Sequence, residues 1–256
     1  MMARRPDDAR GYLRRAQEAL GSDAPDIELT AIDRNLATLA TDPTERMELA
    51  ARVWNRIRAV LGDHHLLSLQ ARAQVAAFQL DLARADELLA PVCAEYRQAH
   101  PALIDMLLDC EIVHAFIAGE LRRTDEARTA YQSILTAATR IPSTDHEVYR
   151  QLALGELALA RTDLGAAEVA FRKVVQTRGK SDLWWERQQA LQAELGLGNV
   201  ALAEHKPLLA REHLEAAAVG YTEIAQTNPG LQFVRRADDA RQLLASFPER
   251  AHAALH

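Results

Sequence analysis

Apolar and small residues recur in the same order four times along the chain. In each segment an aliphatic residue precedes an alanine, a second alanine follows nine residues later, and a larger apolar residue comes four residues after that. The four sets are Val75-Ala76, Ala85 and Leu89; Ile117-Ala118, Ala127 and Tyr131; Leu157-Ala158, Ala167 and Phe171; and Val200-Ala201, Ala210 and Leu214. A repeat of about 40 residues with small residues at fixed places predicts stacked pairs of helices, which is an α-solenoid.

The recurrent alanine has a physical reason. Two helices that pack at the short end of the usual 8–10 Å separation need a small side chain where they cross. The larger residue four positions later lies on the same helical face, one turn along, and fills the space next to the crossing. Strand-type alternation between tight turns is absent from the sequence. The pattern therefore predicts an all-α fold built of antiparallel helix hairpins.

Proline, glycine and polar residues mark the ends of the predicted helices. Helices are expected over residues 6–20 and 26–40, and Thr41-Asp42-Pro43-Thr44-Glu45 has the composition of a helix start for a helix that ends near Leu61. Pro207 fits the first turn of a helix, which fixes the phase of the fourth hairpin. The joints between hairpins fall at His100-Pro101, Ile141-Pro142-Ser143, Gly179-Lys180-Ser181 and Asn228-Pro229-Gly230.

The C-terminal part is predicted to cap the array. Residues 231–247 form one more amphipathic helix, which shields the last open apolar face. Its polar residues are expected on the water-facing side: Arg235, Arg236, Asp238, Asp239 and Arg241. The predicted organisation is an N-terminal helical segment at 1–62, four hairpins at 63–229, a capping helix at 230–247 and a frayed tail at 248–256.

These residues resemble the tetratricopeptide repeat. Gly155, Ala158, Ala167 and Phe171 match its signature positions in the third hairpin, and Gly198, Ala201 and Ala210 match in the fourth. The slot of the signature tryptophan holds Leu69, Glu111, Gln151 and Glu194, and the spacings of 42, 40 and 43 residues between the second alanines exceed the standard 34. Repeats of this length are similar to the helical regions of large bacterial signalling proteins, such as transcription activators of the maltose-regulator type. The resemblance implies a right-handed solenoid whose concave groove is lined by the first helix of each hairpin.

The phase of the repeats places ten candidate partner-binding residues in that groove. They are Gln70, Gln74, Phe78, Asp109, Phe116, Glu120, Tyr149, Glu156, Gln192 and Asn199. Amide, acidic and aromatic groups together suit a peptide with hydrogen-bonding groups and an apolar anchor. The carboxylate clamp of the family's chaperone-binding members is not expected, because Gln70, Ile112, Leu152 and Leu195 fill its lysine slot and only Asn199 matches. The alternatives are that Phe78 and Phe116 belong to the core, or that the convex face or Trp184-Trp185 carries binding.

No arrangement in the sequence predicts catalysis, a metal site or a cofactor. His64-His65 is expected to face water or cap a helix, and His146-Glu147 lacks a second histidine four residues after the first. Cys93 and Cys110 are interpreted as small buried residues, since no CxxC pair completes a zinc site with His114. Gly196-Leu197-Gly198 lies inside a predicted helix and is not a phosphate loop.

Composition and charge narrow the partners. The formal net charge of −6 favours neither nucleic acid nor an anionic membrane, and the N-terminal arginines alternate with acids as on a solvated helix face. Two cysteines, a charged N-terminus and the lack of a long apolar run favour a cytoplasmic protein. We therefore expect a non-enzymatic scaffold or adaptor that binds a protein or peptide partner in its groove. The alternative is a sensor domain of a larger bacterial regulator, and self-association through the solenoid ends stays open.

Overall fold

A computed structural model describes residues 6–20, 26–40, 42–79, 81–227 and 231–246. These residues form twelve α-helices, and the described ranges contain no strand, which confirms the all-α fold class. The helices are α1 (Pro6–Leu20), α2 (Asp26–Leu39), α3 (Pro43–Leu61), α4 (Leu66–Phe78), α5 (Leu82–Gln98), α6 (Ile104–Glu120), α7 (Thr124–Ala138), α8 (Thr144–Ala160), α9 (Leu164–Arg178), α10 (Trp184–Ala203), α11 (Pro207–Thr227) and α12 (Leu231–Ala245).

The helices form two compact units, residues 1–95 and 96–256, which divide within α5. In the first unit α1 packs on α2, α2 on α3 and α3 on α4. In the second unit each helix from α6 to α12 packs on the next, and α8 also contacts α6 and α10. Consecutive packing with contact between every second helix is the arrangement of stacked hairpins. The boundaries at residues 62, 229 and 247 were predicted from the repeat pattern. The division into two units does not test them, and they stay predictions.

The alanine register coincides with the buried positions of the hairpins. Ala85, Ala167 and Ala210 have no exposed surface, and Ala76 and Ala118 are almost completely buried. The larger residues that follow are buried as well, except that Tyr131 keeps partial exposure. The recurrent alanines are therefore buried, as expected for small residues at helix crossings.

Three hairpins turn in the same way without glycine. Arg122, Thr162 and His205 have φ angles of 58°, 60° and 58°, in the left-handed region that usually selects glycine. In each turn the backbone N–H of the residue after the left-handed one donates a hydrogen bond to the carbonyl of the recurrent alanine. Arg123 N lies 2.8 Å from Ala118 O, and Asp163 N lies 2.9 Å from Ala158 O. This bond ties the end of one helix to the start of the next and explains why the turns have equal length.

The first unit is held by a buried carboxylate. Asp33 on α2 is completely buried and accepts from Gln17 on α1 at 3.0 Å and from Arg56 on α3 at 2.7 Å. Arg52 adds a third donor at 3.2 Å. Asp33 thus connects the three N-terminal helices.

At the start of α3, Asp42 accepts hydrogen bonds from the N–H groups of Thr44 and Glu45. This confirms the helix start that the sequence predicts.

Two glycines hold the aromatic ring at the centre of the second unit. Phe171 on α9 is fully buried between Gly155 on α8 and Gly196 on α10. A Cβ atom added at either glycine would lie 2.5 Å from a carbon of the ring. The helices can approach Phe171 this closely only because both glycines lack a side chain, so Gly196 serves packing.

We expect Gly155→Ala and Gly196→Ala each to lower the free energy of unfolding by about 1–3 kcal/mol, the usual effect of overpacking. The ring is enclosed on both sides and has no room to move away from a new methyl group. Gly165→Ala is the matched control, because its Cβ would meet nothing within 4 Å and the site is exposed at the start of α9, so stability should change by no more than about 0.5 kcal/mol. Urea denaturation followed by circular dichroism measures all three, and equal effects at the three sites would contradict the packing.

Trp184 and Trp185 are both substantially exposed, at 42% and 48%. Trp184 packs edge to face on Phe233 of α12, with ring centroids 6.2 Å apart. Cys93 and Cys110 are buried as expected, but neither is a free thiol. The cysteines therefore no longer support the inference of a reducing compartment.

Some sequence expectations concern residues outside the described ranges. Arg4, Arg5, Thr41, the joint at 228–230 and the predicted frayed tail at 248–256 are among them. Within the described ranges, no helix combines the length and the apolar character that a membrane span requires.

Candidate functional site

A cavity of about 450 Å³ opens on the second unit. Five helices contribute to its wall, namely α6, α7, α8, α10 and α12. The lining residues with polar, charged or aromatic side chains are Phe116, Glu120, Tyr131, Glu156, Gln192, Asn199, Arg236, Asp239 and Gln242. Its volume lies in the range of ligand-binding clefts.

Half of the residues predicted for the groove line this cavity. Phe116 and Glu120 lie one turn apart on α6, because residues four positions apart share a helical face. Glu156 comes from α8, and Gln192 and Asn199 are two turns apart on α10. The first helices of three hairpins therefore present these side chains to one space, as the repeat phase requires.

The other predicted residues lie elsewhere. Tyr149 on α8 donates its hydroxyl proton to the carboxylate of Asp109 on α6, and this pair is not part of the lining of the cavity. Gln70, Gln74 and Phe78 belong to α4 in the first unit. Phe78 packs there under the guanidinium of Arg46, whose central carbon is 5.2 Å from the ring centroid. Five of the ten candidates therefore line the cavity of the second unit, two form a separate pair in that unit, and three belong to the first unit.

Arg236 is the main residue that the sequence reading misplaced. It was expected on the water-facing side of the capping helix, but it is only 9% exposed and lines the cavity. Its guanidinium carbon lies 4.5 Å from the ring centroid of Phe116 and 5.9 Å from that of Tyr221. Aromatic faces attract a guanidinium at this distance. Arg236 lies on the buried face of α12. The other buried residues of that face are Phe233, Ala237 and Ala240, which have helical spacing to Arg236.

The charged groups of the cavity are not in contact with one another. Among the described residues, no oppositely charged nitrogen or oxygen lies within 4.0 Å of the charged atoms of Glu120, Glu156, Asp239 or Arg236. Glu156 only accepts a long hydrogen bond from the amide of Gln192, at 3.3 Å. Carboxylates with partial burial normally find a cation or a donor. In this cavity the charged side chains instead line the same space without contacting an opposite charge.

The environment shifts the proton affinity of all three acids in the same direction. Burial is the main cause that raises the pKa of Glu156, Glu120 and Asp239. For Glu120 the nearby charge of Asp239 acts in the same sense, while Arg235, Arg236 and Arg122 oppose it. Arg236 also opposes the shift at Glu156 and Asp239. One guanidinium does not compensate the loss of water around three carboxylates.

A paired carboxylate of the same unit shows the contrast. Glu147 on α8 accepts from Arg150 at 2.7 Å and from Gln151 at 2.6 Å, and Lys173 is 3.4 Å away. Hydrogen bonds from Arg150 are the main cause that lowers the pKa of Glu147 to about 2. Glu147 therefore has cations in contact, whereas Glu120, Glu156 and Asp239 have none among the described residues.

The raised pKa values predict how stability depends on pH. A carboxyl group whose pKa is higher in the folded state than in the unfolded chain penalises folding when it is ionised, and the penalty is relieved as the pH falls through the folded-state pKa. We expect the melting temperature of the wild type to rise on going from pH 7 toward pH 5, relative to a Glu120→Gln, Glu156→Gln, Asp239→Asn variant. Glu147 acts oppositely, because its contribution is lost only as the pH falls from about 4.5 to about 2. Thermal melts of both proteins across this range are the check, and parallel curves would contradict the assignment.

The histidines proposed as structural residues have structural partners. His65 caps α4 by accepting from Leu67 N at 3.2 Å, and His64 contacts the carboxylate of Glu95 at 2.9 Å. His146 is buried, with Nδ1 2.5 Å from the carbonyl of Ile141 and Nε2 2.6 Å from Asp105. Each of these contacts joins the end of a helix to another segment.

Comparison with known proteins supports the fold and goes no further. No protein-family model matches the chain, and no curated protein matches it significantly. Among solved structures, the chain is similar to BtubC (BKLC) from P. vanneervenii, with a TM-score of 0.57 and 17% sequence identity. The match covers 86% of this chain and 90% of the other. At this identity the likeness concerns the fold alone, so the tetratricopeptide resemblance stays a prediction and no family is assigned.

Proposed function

We propose that this protein is a non-enzymatic binding module that recognises a peptide segment of a partner protein in the cavity of the second unit. The observation that carries the proposal is that the charged side chains lining the cavity form no ion pairs with described residues. Tetratricopeptide-like repeats and a cytoplasmic location are parts of the same proposal that rest on the sequence.

The free-energy cost of these side chains supports a ligand. A buried guanidinium without a carboxylate in contact lowers stability, and so do carboxylates with reduced hydration. Arg178 of the same unit shows the usual arrangement, because it forms ion pairs with Asp145 and Glu186. A partner that brings complementary groups would recover the cost when it binds.

The chemistry of the wall supports a peptide as the ligand. Gln192, Asn199 and Gln242 offer amides that match the donors and acceptors of a peptide backbone. Phe116 and Tyr131 add aromatic surface. Mixed amide, charged and aromatic groups in an open cleft are typical of sites that bind extended peptides.

Selection of peptides from a random heptapeptide display library on the immobilised protein tests the proposal. Peptides that bind in the cavity should lose about tenfold in affinity for Asn199→Ala, because one hydrogen bond to a ligand contributes about 1–1.5 kcal/mol. Gln176→Ala is the matched control, since Gln176 is an exposed amide on α9 that does not line the cavity. Selected peptides that bind both variants as they bind the wild type would place recognition elsewhere and contradict the proposal.

A further inference from the structure

We infer that the partner segment presents a basic side chain, lysine or arginine, that enters the cavity between Glu120, Glu156 and Asp239. The inference rests on the proposed function and names the chemistry that the same site recognises.

The three carboxylates converge from three different helices. Glu120 lies at the end of α6, Glu156 on α8 and Asp239 on α12. Each is partly buried, and among the described residues none has a cationic nitrogen within 4.0 Å. The lining therefore holds three carboxylates against one guanidinium, and the excess charge is negative. A cation placed among them would make charge-assisted hydrogen bonds that these acids lack within the chain.

Arg236 decides where the cation lies. Its side chain is nine-tenths buried, lies against the rings of Phe116 and Tyr221 and makes a hydrogen bond with Tyr221, and it forms no ion pair with any described residue. Since the guanidinium repels a second cation, the ligand's charge must lie on the side of the carboxylates. The guanidinium of Arg236, which lines the cavity, can then donate a hydrogen bond to a carbonyl oxygen of the ligand backbone.

An anionic ligand fits the same cavity less well. Arg236 alone would attract a carboxylate or a phosphate, but an anion there would also lie close to three acids of like charge. Arg122 and Arg235 act on Glu120 from outside the lining, and both side chains are exposed, so water and salt screen them. The balance of partly buried charge therefore favours a basic group.

The raised pKa values add a consequence for binding. A bound cation favours the ionised carboxylates, so binding should release protons and should strengthen as the pH rises from 5 to 7. The charged and titratable groups that face Glu120 are Arg122, Arg235, Arg236 and Asp239. Those that face Glu156 are Arg236, Tyr131 and Tyr221, and those that face Asp239 are Arg235, Arg236, Asp238 and Glu120. The arginines stay charged over this range, so the acids carry the pH dependence.

The test compares heptapeptides selected from a random display library on the wild type with their norleucine counterparts, in which each lysine or arginine is replaced. We expect the selected peptides to share a basic residue and to lose at least tenfold in affinity on its replacement. The selected peptides themselves should lose affinity to a similar extent for the Glu120→Gln, Glu156→Gln, Asp239→Asn variant of the protein. Glu212→Gln is the control for an exposed acid outside the cavity. If the triple variant does not fold, Glu120→Gln alone serves, because Glu120 is partly exposed.

The outcomes separate the inference from the proposed function. Peptides that lack basic residues but still depend on Asn199 would overturn the basic-group inference and leave peptide binding in the cavity intact. If no selected peptide depends on Asn199, the proposed function fails and the inference fails with it. Spermidine distinguishes a free polyamine from a peptide: saturable binding of spermidine without any cavity-dependent peptide would overturn the peptide as the source of the cation.

Discussion

Replacement of Phe171 by alanine is expected to lower the free energy of unfolding by about 3–5 kcal/mol. The ring is completely buried, belongs to the core cluster of α8, α9 and α10, and fills the space between Gly155 and Gly196. The two glycines cannot fill the cavity that alanine would leave, since they have no side chains to move into it. Urea denaturation monitored by circular dichroism measures the loss.

Two variants control this result. Phe171→Leu retains most of the apolar volume and should cost clearly less than alanine. Val169→Ala changes a side chain on the same helix that is 68% exposed, and should change stability by no more than about 0.5 kcal/mol. A loss below about 1 kcal/mol for Phe171→Ala, within the range of ordinary surface changes, would mean that the hairpins do not pack around this ring.

Replacement of Asp33 by alanine should lower the free energy of unfolding by about 3 kcal/mol. Asp33 is fully buried and is the common acceptor for Gln17, Arg52 and Arg56. Its removal leaves two guanidinium groups without their carboxylate, although Arg52 is 47% exposed and regains water. The expected loss is therefore at the lower end of values for a broken buried ion pair.

Hydrogen exchange locates the effect of Asp33→Ala. Amide exchange should accelerate in α1, α2 and α3, because the carboxylate joins these three helices. Asp125→Ala is the control, since it removes one partner of an exposed pair with Arg128 and should cost less than about 1 kcal/mol. Unchanged exchange in α1 and α3 for Asp33→Ala would show that the network does not hold the unit together.

The helices of this protein were readable from its sequence because their signals are local or periodic. α1 was predicted at residues 6–20 and is observed at Pro6–Leu20, and Pro207 begins α11 as its position required. The alanine register supplied the pairing of α6 with α7, of α8 with α9 and of α10 with α11. Small residues at Ala127, Ala167 and Ala210 can serve only one kind of contact, so their spacing carries information about packing.

The centre of the candidate site was not readable in the same way. Arg236 was assigned to water because a charged residue on an amphipathic helix is usually exposed. Its position three residues after Phe233 and one before Ala237 places it on the inner stripe, and this spacing was the available signal. What the sequence could not supply is the distance from Arg236 to Phe116, which joins residues 120 positions apart in the chain.

The ion pairs between helices were missed for a related reason. Arg178 pairs with Asp145, and His146 with Asp105, over 33 and 41 positions of sequence. Local pattern identifies the helix on which each residue lies, but the partner depends on how the hairpins stack. The exposure of both Trp184 and Trp185 also follows from tertiary packing, since Phe233 of α12 covers only one edge of Trp184.

Hydrogen exchange of the protein with and without a selected heptapeptide tests the central claim, peptide binding in the cavity, most directly. The bound peptide should protect the C-terminal parts of α6 and α8, the stretch of α10 from Gln192 to Asn199, and α12 around Arg236. Protection confined to the start of α10, at Trp184 and Trp185, or to α4 would contradict it.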